Sequence, residues 1–293
     1  MKKLFITLIF SIMLNDIFAQ KLSSENLKTA IEAKLKTVGG EYAVAFKDLQ
    51  MGKTLFINEN ENFHAASTMK TPVMIEVFKQ AKERKFRLTD SILVKNEFKS
   101  IVDGSPYSMD IADDSGDGMY KMIGKKMTIY DLTYQMITVS SNLATNILIE
   151  LVDAKNANAS MRKLGAKDIK VLRGVEDQKA FDKGLSNTTT AYDLMLIFEK
   201  IAQNKVINKK SCEEMRKILF DQKFNEIIPE KLPKTVKVAH KTGSITGVQH
   251  DSGIVYLPDG RKYVLVLLSK KLKNVDAGVK ILAEVSEMVY RLF

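Results

Sequence analysis

The sequence predicts an α+β fold: an antiparallel five-stranded sheet with terminal helices packed on it and an all-helical lobe inserted between its strands. Three observations predict it. Strand-like runs occur near both ends of the 293-residue chain. The long middle, roughly 68 to 230, carries mostly helical periodicity. Two strand pairs flank turn signals, Gly52 and Pro258-Asp259-Gly260, which is how antiparallel neighbours connect.

The elements follow in order. Met1-Lys2-Lys3 precedes an apolar run from Leu4 to Leu14, and then Ile17-Phe18-Ala19. A charged start, a short apolar stretch and a small residue are the marks of an export signal. The run is too short to span a bilayer. Residues 1–19 are therefore expected to be a signal peptide, with a mature start at Gln20 and an exported, periplasmic or secreted product. No Cys follows, so no lipid anchor is expected there. Ser24 to Leu35 reads as a helix with Leu27, Ile31 and Leu35 on one face, ended by Gly39-Gly40. Tyr42–Lys47 and Thr54–Ile57 read as a hairpin. Thr128-Ile129-Tyr130-Asp131 and Thr190-Ala191-Tyr192-Asp193 resemble capping boxes and open helices toward Val139 and Ile201. Between Val171 and Thr190 lies a polar stretch of little periodicity, long enough to suggest a functional loop. Val236–His240, Gly253–Leu257 and Tyr263–Leu268 complete the strands, and Val275 to about Leu292 closes the chain as a helix. Residues 20–293 are thus expected to form one domain, with an α/β lobe of about 20–67 and 231–293 and a helical lobe of about 68–230. A cleft between such lobes is a common place for a site.

Composition narrows the function. Net charge is +10, but the bases are mixed with acids, as in Lys79, Lys82, Glu83, Arg84 and Lys85. That is a solvated surface and not a nucleic-acid stripe. No later apolar run approaches 18 residues, so no membrane insertion is expected after signal removal. Cys212 is the single cysteine, which rules out an internal disulfide and is expected to be buried. His64, His240 and His250 lack metal-ligand spacing, and no metal or other cofactor is called for. Asp113-Asp114-Ser115-Gly116-Asp117-Gly118 opens like a calcium loop, but Gly124 stands where a bidentate Glu is needed, so a polar surface loop near the cleft mouth is expected. A monomer is expected.

Three short segments carry the chemistry: Ser67-Thr68-Met69-Lys70, Ser140-Ser141-Asn142 and Lys241-Thr242-Gly243. Ser67 precedes the apolar helical face Val73-Met74-Ile75-Val77-Phe78, and Pro72 fits a first turn. That places Ser67 at a helix start, where backbone N–H groups favour developing negative charge. Lys70, three residues on, shares its face. A serine hydroxyl needs a neighbouring base, and a lysine whose pKa is lowered by burial and other cations can be one. Ser140 and Asn142 occupy a helix–helix corner, where capping alone would also suit them. Lys241-Thr242-Gly243 follows a strand, and Gly243 lets a ligand approach the backbone. Singly each segment is weak: Ser160-Met161-Arg162-Lys163 repeats the first spacing, and Ser24-Glu25-Asn26 the second. Their order and separation lend them weight.

Together these segments, with the run Met136–Asn146 and His240-Lys241-Thr242-Gly243-Ser244, resemble the penicillin-recognising serine enzymes, and the class A β-lactamases most. The resemblance spans essentially the mature chain and implies the β-lactamase/transpeptidase-like fold and a small-molecule β-lactam substrate. It implies that Ser67 is acylated, that Lys70 is its proton partner and that Ser140 passes a proton to the leaving nitrogen. Asn142 would hold the substrate amide, and Lys241 and Thr242 its carboxylate. Backbone N–H groups of Ser67 and Ser244 would form the oxyanion hole. The polar stretch resembles the omega loop, with Glu176 as the base that activates the deacylating water and Asp177 as the fallback. Several positions depart from the family. Its Glu lies two residues after the Arg, but Glu176 lies three after Arg173, and the Leu-Asn that should follow is absent. Ser141 replaces an Asp, Asn187 replaces the acid that pairs with the Arg, and no Arg follows Lys241-Thr242-Gly243. Acylation is thus better supported than rapid deacylation. A D-Ala-D-Ala peptidase, or a penicillin-binding or sensing domain that acylates and stalls, is the alternative. A Ser-His-Asp hydrolase is disfavoured because no Gly-x-Ser-x-Gly elbow is present.

Overall fold

Five strands form the main sheet in the computed structural model, which describes residues 23–293; the expected signal peptide lies outside the described residues. The strands are β1 (Glu41–Asp48), β2 (Thr54–Ile57), β3 (Lys237–Ile245), β4 (Val248–Tyr256) and β5 (Lys262–Lys270). Their order is β2-β1-β5-β4-β3, antiparallel throughout. The fold is α+β, as the sequence predicts.

Alternation along the strands separates two cores. Val44, Phe46, Leu265 and Leu267 face α1 (Ser23–Leu35) and the C-terminal helix (Val275–Tyr290), where they meet Ile31, Leu282 and Val285. Ala43, Ala45, Val264, Val266 and Leu268 face the remaining helices. Both sheet faces are therefore covered, which explains why Tyr263–Leu268 reads as an unbroken apolar run. Each fully buried Leu, Ile or Val contributes roughly 1.5–3 kcal/mol.

The helical side centres on α2 (Lys70–Lys82), which buries residues around its whole circumference, polar ones included. Against it pack α3 (Ile129–Thr138), α4 (Asn142–Val152), α5 (Ala154–Leu164) and α8 (Lys209–Phe220), whereas α6 (Gln178–Asp182) lies in the polar loop before Thr190 and α7 (Ala191–Ala202) packs on β1, β4 and β5; the C-terminal helix is α9. Thr128 and Thr190 cap α3 and α7 by accepting from the Asp131 and Asp193 N–H groups. Cys212 is fully buried in α8.

Three expectations change. The strand expected to end at His240 runs on to Ile245, so Lys241-Thr242-Gly243 lies within β3 and not beyond it. The strand expected from Gly253 begins at Val248, because the Thr246-Gly247 turn lets it pair with β3 from its first residue. The 113–118 segment is not merely a surface loop, since Asp114 and Gly116 are buried against the Ser141 turn.

Candidate active site

Ser67 sits in a 3-10 turn, Ala66–Met69, that runs into α2. The turn is pinned from below. Ala66 N–H donates to His64 Nδ1 (3.0 Å), and Ala65 N–H to the Asn187 carbonyl (2.8 Å). His250 Nε2 bonds the His64 carbonyl oxygen at 2.9 Å. Burial lowers the pKa of both histidines, that of His250 to about 4, so both are neutral props at neutral pH.

β3 ends the sheet, so one of its sides has no strand partner, and that side approaches Ser67. A Cβ built at Gly243 would lie 3.1 Å from the backbone nitrogens of both Ser67 and Thr68. A side chain there would press on the Ser67 turn, so glycine lets the two backbones meet closely.

Lys70 and Lys241 are both fully buried and converge on Ser140. Lys70 Nζ donates to the Ser140 carbonyl (2.6 Å), Ser140 Oγ (3.1 Å) and Asn142 Oδ1 (2.9 Å). Lys241 Nζ donates to Ser140 Oγ (3.0 Å) and to the Thr242 carbonyl (2.9 Å). Ser140 reaches both amines from a left-handed backbone, φ 58°. Burial lowers the Lys70 pKa to about 7, against the attraction of Asp114 and Glu176. Burial, then the Lys70 charge, hold Lys241 well below its usual value, while Asp251 opposes them. Two dry ammonium groups sharing one hydroxyl cannot both stay charged cheaply, and the uncharged amine is a base.

Asn142 bridges the halves of the site. Its Nδ2 donates to Glu176 Oε1 at 2.9 Å and to the Asp113 carbonyl at 3.3 Å. Burial raises the Glu176 pKa, with the Asn142 bond acting against it and the Asp113 and Asp114 charges adding to it. The spacing of Glu176 now has a physical account. Asn146 clamps Val175 through both its N–H (2.6 Å) and its carbonyl (3.0 Å). Glu176, the next residue, takes φ 62° and so turns its carboxylate to Asn142.

Asp177 does not face the reacting groups as a free base. It is buried, accepts from Ser100 Oγ (2.8 Å) and the Ile101 N–H (2.9 Å), and caps α6. Asn187 closes the loop's neck: its Oδ1 accepts from the Leu172 (2.7 Å) and Arg173 (3.1 Å) N–H groups, and its Nδ2 donates to the Arg173 carbonyl (3.1 Å). Ser160, of the repeated spacing, is buried, donates to Glu76 and lines neither of the two cavities that border Ser67.

Two cavities of about 740 and 440 Å³ meet at Ser67, Ser115, Ser140 and Ser244. Thr242 and Gly243 line the larger; Asn142 and Glu176 line the smaller. Seven of the nine candidate residues thus line these cavities, while Lys70 and Lys241 are fully buried and bond Ser140, which does. Sequence reasoning missed Asp114, which holds the Ser140–Asn142 turn, and the buried Asp251–His240 pair (2.9 Å) behind Lys241. Pairing of β3 with β4 sets Asp251 opposite Thr242, a juxtaposition no local motif announces.

Known proteins resemble this chain in sequence and in fold. VEB-1 of Pseudomonas aeruginosa, a β-lactamase, is 23% identical over 99% of this chain and 95% of its own length. The extended-spectrum β-lactamase PER-1 of the same organism is 24% identical over 92% of this chain and 87% of its own. Among solved structures, a β-lactamase of Sphaerobacter thermophilus superposes with a TM-score of 0.79 at 26% identity, covering 92% of this chain and 97% of that one. PBP-A does so with a TM-score of 0.78 at 26% identity, over 92% and 96% of the two chains; a variant of it was captured as the acyl-enzyme with penicillin G. The sequence profile described as the β-lactamase enzyme family matches residues 26–293. The chain belongs to the β-lactamase enzyme family.

Proposed function

We propose that this protein is an exported serine β-lactamase of class A type that opens the lactam amide through an acyl-Ser67 intermediate. The observation that carries the reading is the convergence of two buried amines on Ser140 beside the Ser67 turn. Ser67 Oγ adds to the lactam carbonyl carbon while its proton passes to the uncharged Lys70 amine. The carbonyl oxygen becomes an oxyanion held by the Ser67 and Ser244 N–H groups, one such donor being worth about 3 kcal/mol. The C–N bond then breaks. The ring nitrogen takes the Ser140 hydroxyl proton, and Ser140 regains one from the ammonium groups it touches. Lys241 and Thr242 hold the substrate carboxylate and Asn142 the side-chain amide. Glu176 removes a proton from water, whose oxygen adds to the ester carbonyl carbon; the C–O bond to Ser67 then breaks, and the proton held by Glu176 returns to Ser67 Oγ, restoring both groups.

The departures in the loop favour a second reading, a domain that acylates and stalls or a D-Ala-D-Ala peptidase. Glu176 reaches the cleft only through left-handed backbone, and the family's Leu-Asn is missing behind it.

One experiment separates the readings. The mature protein is mixed with a chromogenic cephalosporin, turnover is followed by absorbance and adduct by mass spectrometry, and D-Ala release from a stem peptide is assayed in parallel. Many turnovers are expected. A lasting adduct near one equivalent, or peptide cleavage without lactam turnover, rejects the β-lactamase reading. The Glu176→Gln variant is expected to acylate like the parent and accumulate adduct; parent-like turnover by it removes Glu176 from the deacylating role.

A further inference from the structure

Asp114 lies on the 110–118 loop, outside all three motifs, and is only 6% exposed. Its Oδ1 accepts from the N–H groups of Asn142 (2.9 Å) and Gly116 (2.8 Å). Its Oδ2 accepts from the Leu143 N–H (2.9 Å) and the Ser141 hydroxyl (3.4 Å). Asn142 and Leu143 open α4, and their N–H groups have no partner inside the helix. The third N–H, that of Ala144, is taken by Ser141 Oγ at 3.2 Å. Asp114 and Ser141 together therefore satisfy one helix start. The loop is pressed close enough that a Cβ at Gly116 would fall 2.4 Å from Ser141 Cβ.

We propose that Asp114 is a positioning residue for the Ser140–Asn142 turn, supplying from a separate loop the carboxylate that orders the start of α4. The proposal rests on the serine-acylation reading above. The geometry gives it two routes of action. Fixing the Asn142 backbone fixes a side chain that touches both Lys70 and Glu176. The carboxylate is also a buried negative charge near Lys70 and favours its ammonium form. Neutralising it makes Lys70 easier to deprotonate. The other groups facing this charge are Glu176, from the 173–190 loop, and Tyr120, from the adjoining turn.

The test compares the full mature parent with Asp114→Asn and with the double variant Asp114→Asn/Ser141→Asp. Acylation by a chromogenic cephalosporin is followed by stopped flow between pH 5 and 9. Amide hydrogen exchange is measured across residues 139–146. Asp114→Asn is expected to lose ten- to a hundredfold in acylation rate, to shift the acid limb of its pH profile to lower pH, and to gain exchange at Asn142 and Leu143. Moving the carboxylate to position 141 is expected to restore protection and at least a third of the parent rate. A folded Asp114→Asn that keeps parent-like protection, or acylates within threefold with an unmoved acid limb, overturns the proposal. Should the single variant fail to fold, a folded double variant lacking protection or rate overturns it instead. A parent that forms no acyl adduct defeats the serine-acylation reading, while the exchange measurement still decides whether Asp114 holds the turn.

Discussion

At the scale of the residue, Lys70 sets the pH behaviour. Its buried amine titrates at about 7, so acylation is expected to fall roughly tenfold per pH unit below that value, one proton being involved. Single-turnover acylation rates between pH 5 and 8 check this, and a flat profile would remove Lys70 as the base. The same shift has a stability consequence. An unfolded lysine titrates near 10.4, so between about 7 and about 10.4 the unfolded chain binds the extra proton and folding stability rises with pH. Lys70→Met removes this contribution to the slope, measurable as Tm against pH beside the parent. Ser67, Lys70, Ser140, Asn142 and Lys241 were legible in the sequence because their chemistry is local: a helical spacing, a helix corner, a strand. Asp114 and Asp251 were not, because each acts through a fold contact across 28 or 11 residues.

At the scale of the element, the 173–190 loop is held at its neck by one amide. Asn187 makes three hydrogen bonds to residues 172 and 173 and is 6% exposed. Asn187→Ala leaves those buried backbone groups unpaired, at a cost of about 1–3 kcal/mol. The expected Tm loss is several degrees, since each kcal/mol corresponds to about 2–4 °C in a chain this size. Deacylation is expected to slow more than acylation, because Glu176 hangs from this loop while Ser67 does not. Burst and steady-state rates distinguish the two; equal losses would place the neck outside the deacylating step. The sequence marked this loop by its lack of periodicity. It did not reveal the short helix α6 inside it, since five residues carry too little pattern, nor that Asp177 spends its carboxylate capping that helix. Strand ends are likewise hard to read where polar motif residues interrupt alternation, as at Lys241-Thr242 inside β3.

At the scale of the whole molecule, β1 and β5 contribute residues to both cores. Neither core can lose its share of the sheet without opening the other, so unfolding is expected to be one transition. Labelling of Cys212, buried on the helical side, and far-UV circular dichroism are expected to give one midpoint in urea; separated midpoints would show that the halves unfold independently. Leu267→Ala, at a fully buried central-strand position, is expected to cost about 2–5 kcal/mol and shift both signals together. The overall class was legible because helix and strand periods divide the chain cleanly into ends and middle. The pairing order was not, since β1 finds β5 across more than two hundred residues. That pairing reaches beyond stability. Glu41 lies opposite Lys270, so the centre of the sheet cannot close while a ribosome still holds the last strand. The central seam of a nascent chain is therefore expected to stay unpaired until residue 270 has left the ribosome, with β1 waiting for a neighbour made more than two hundred residues later.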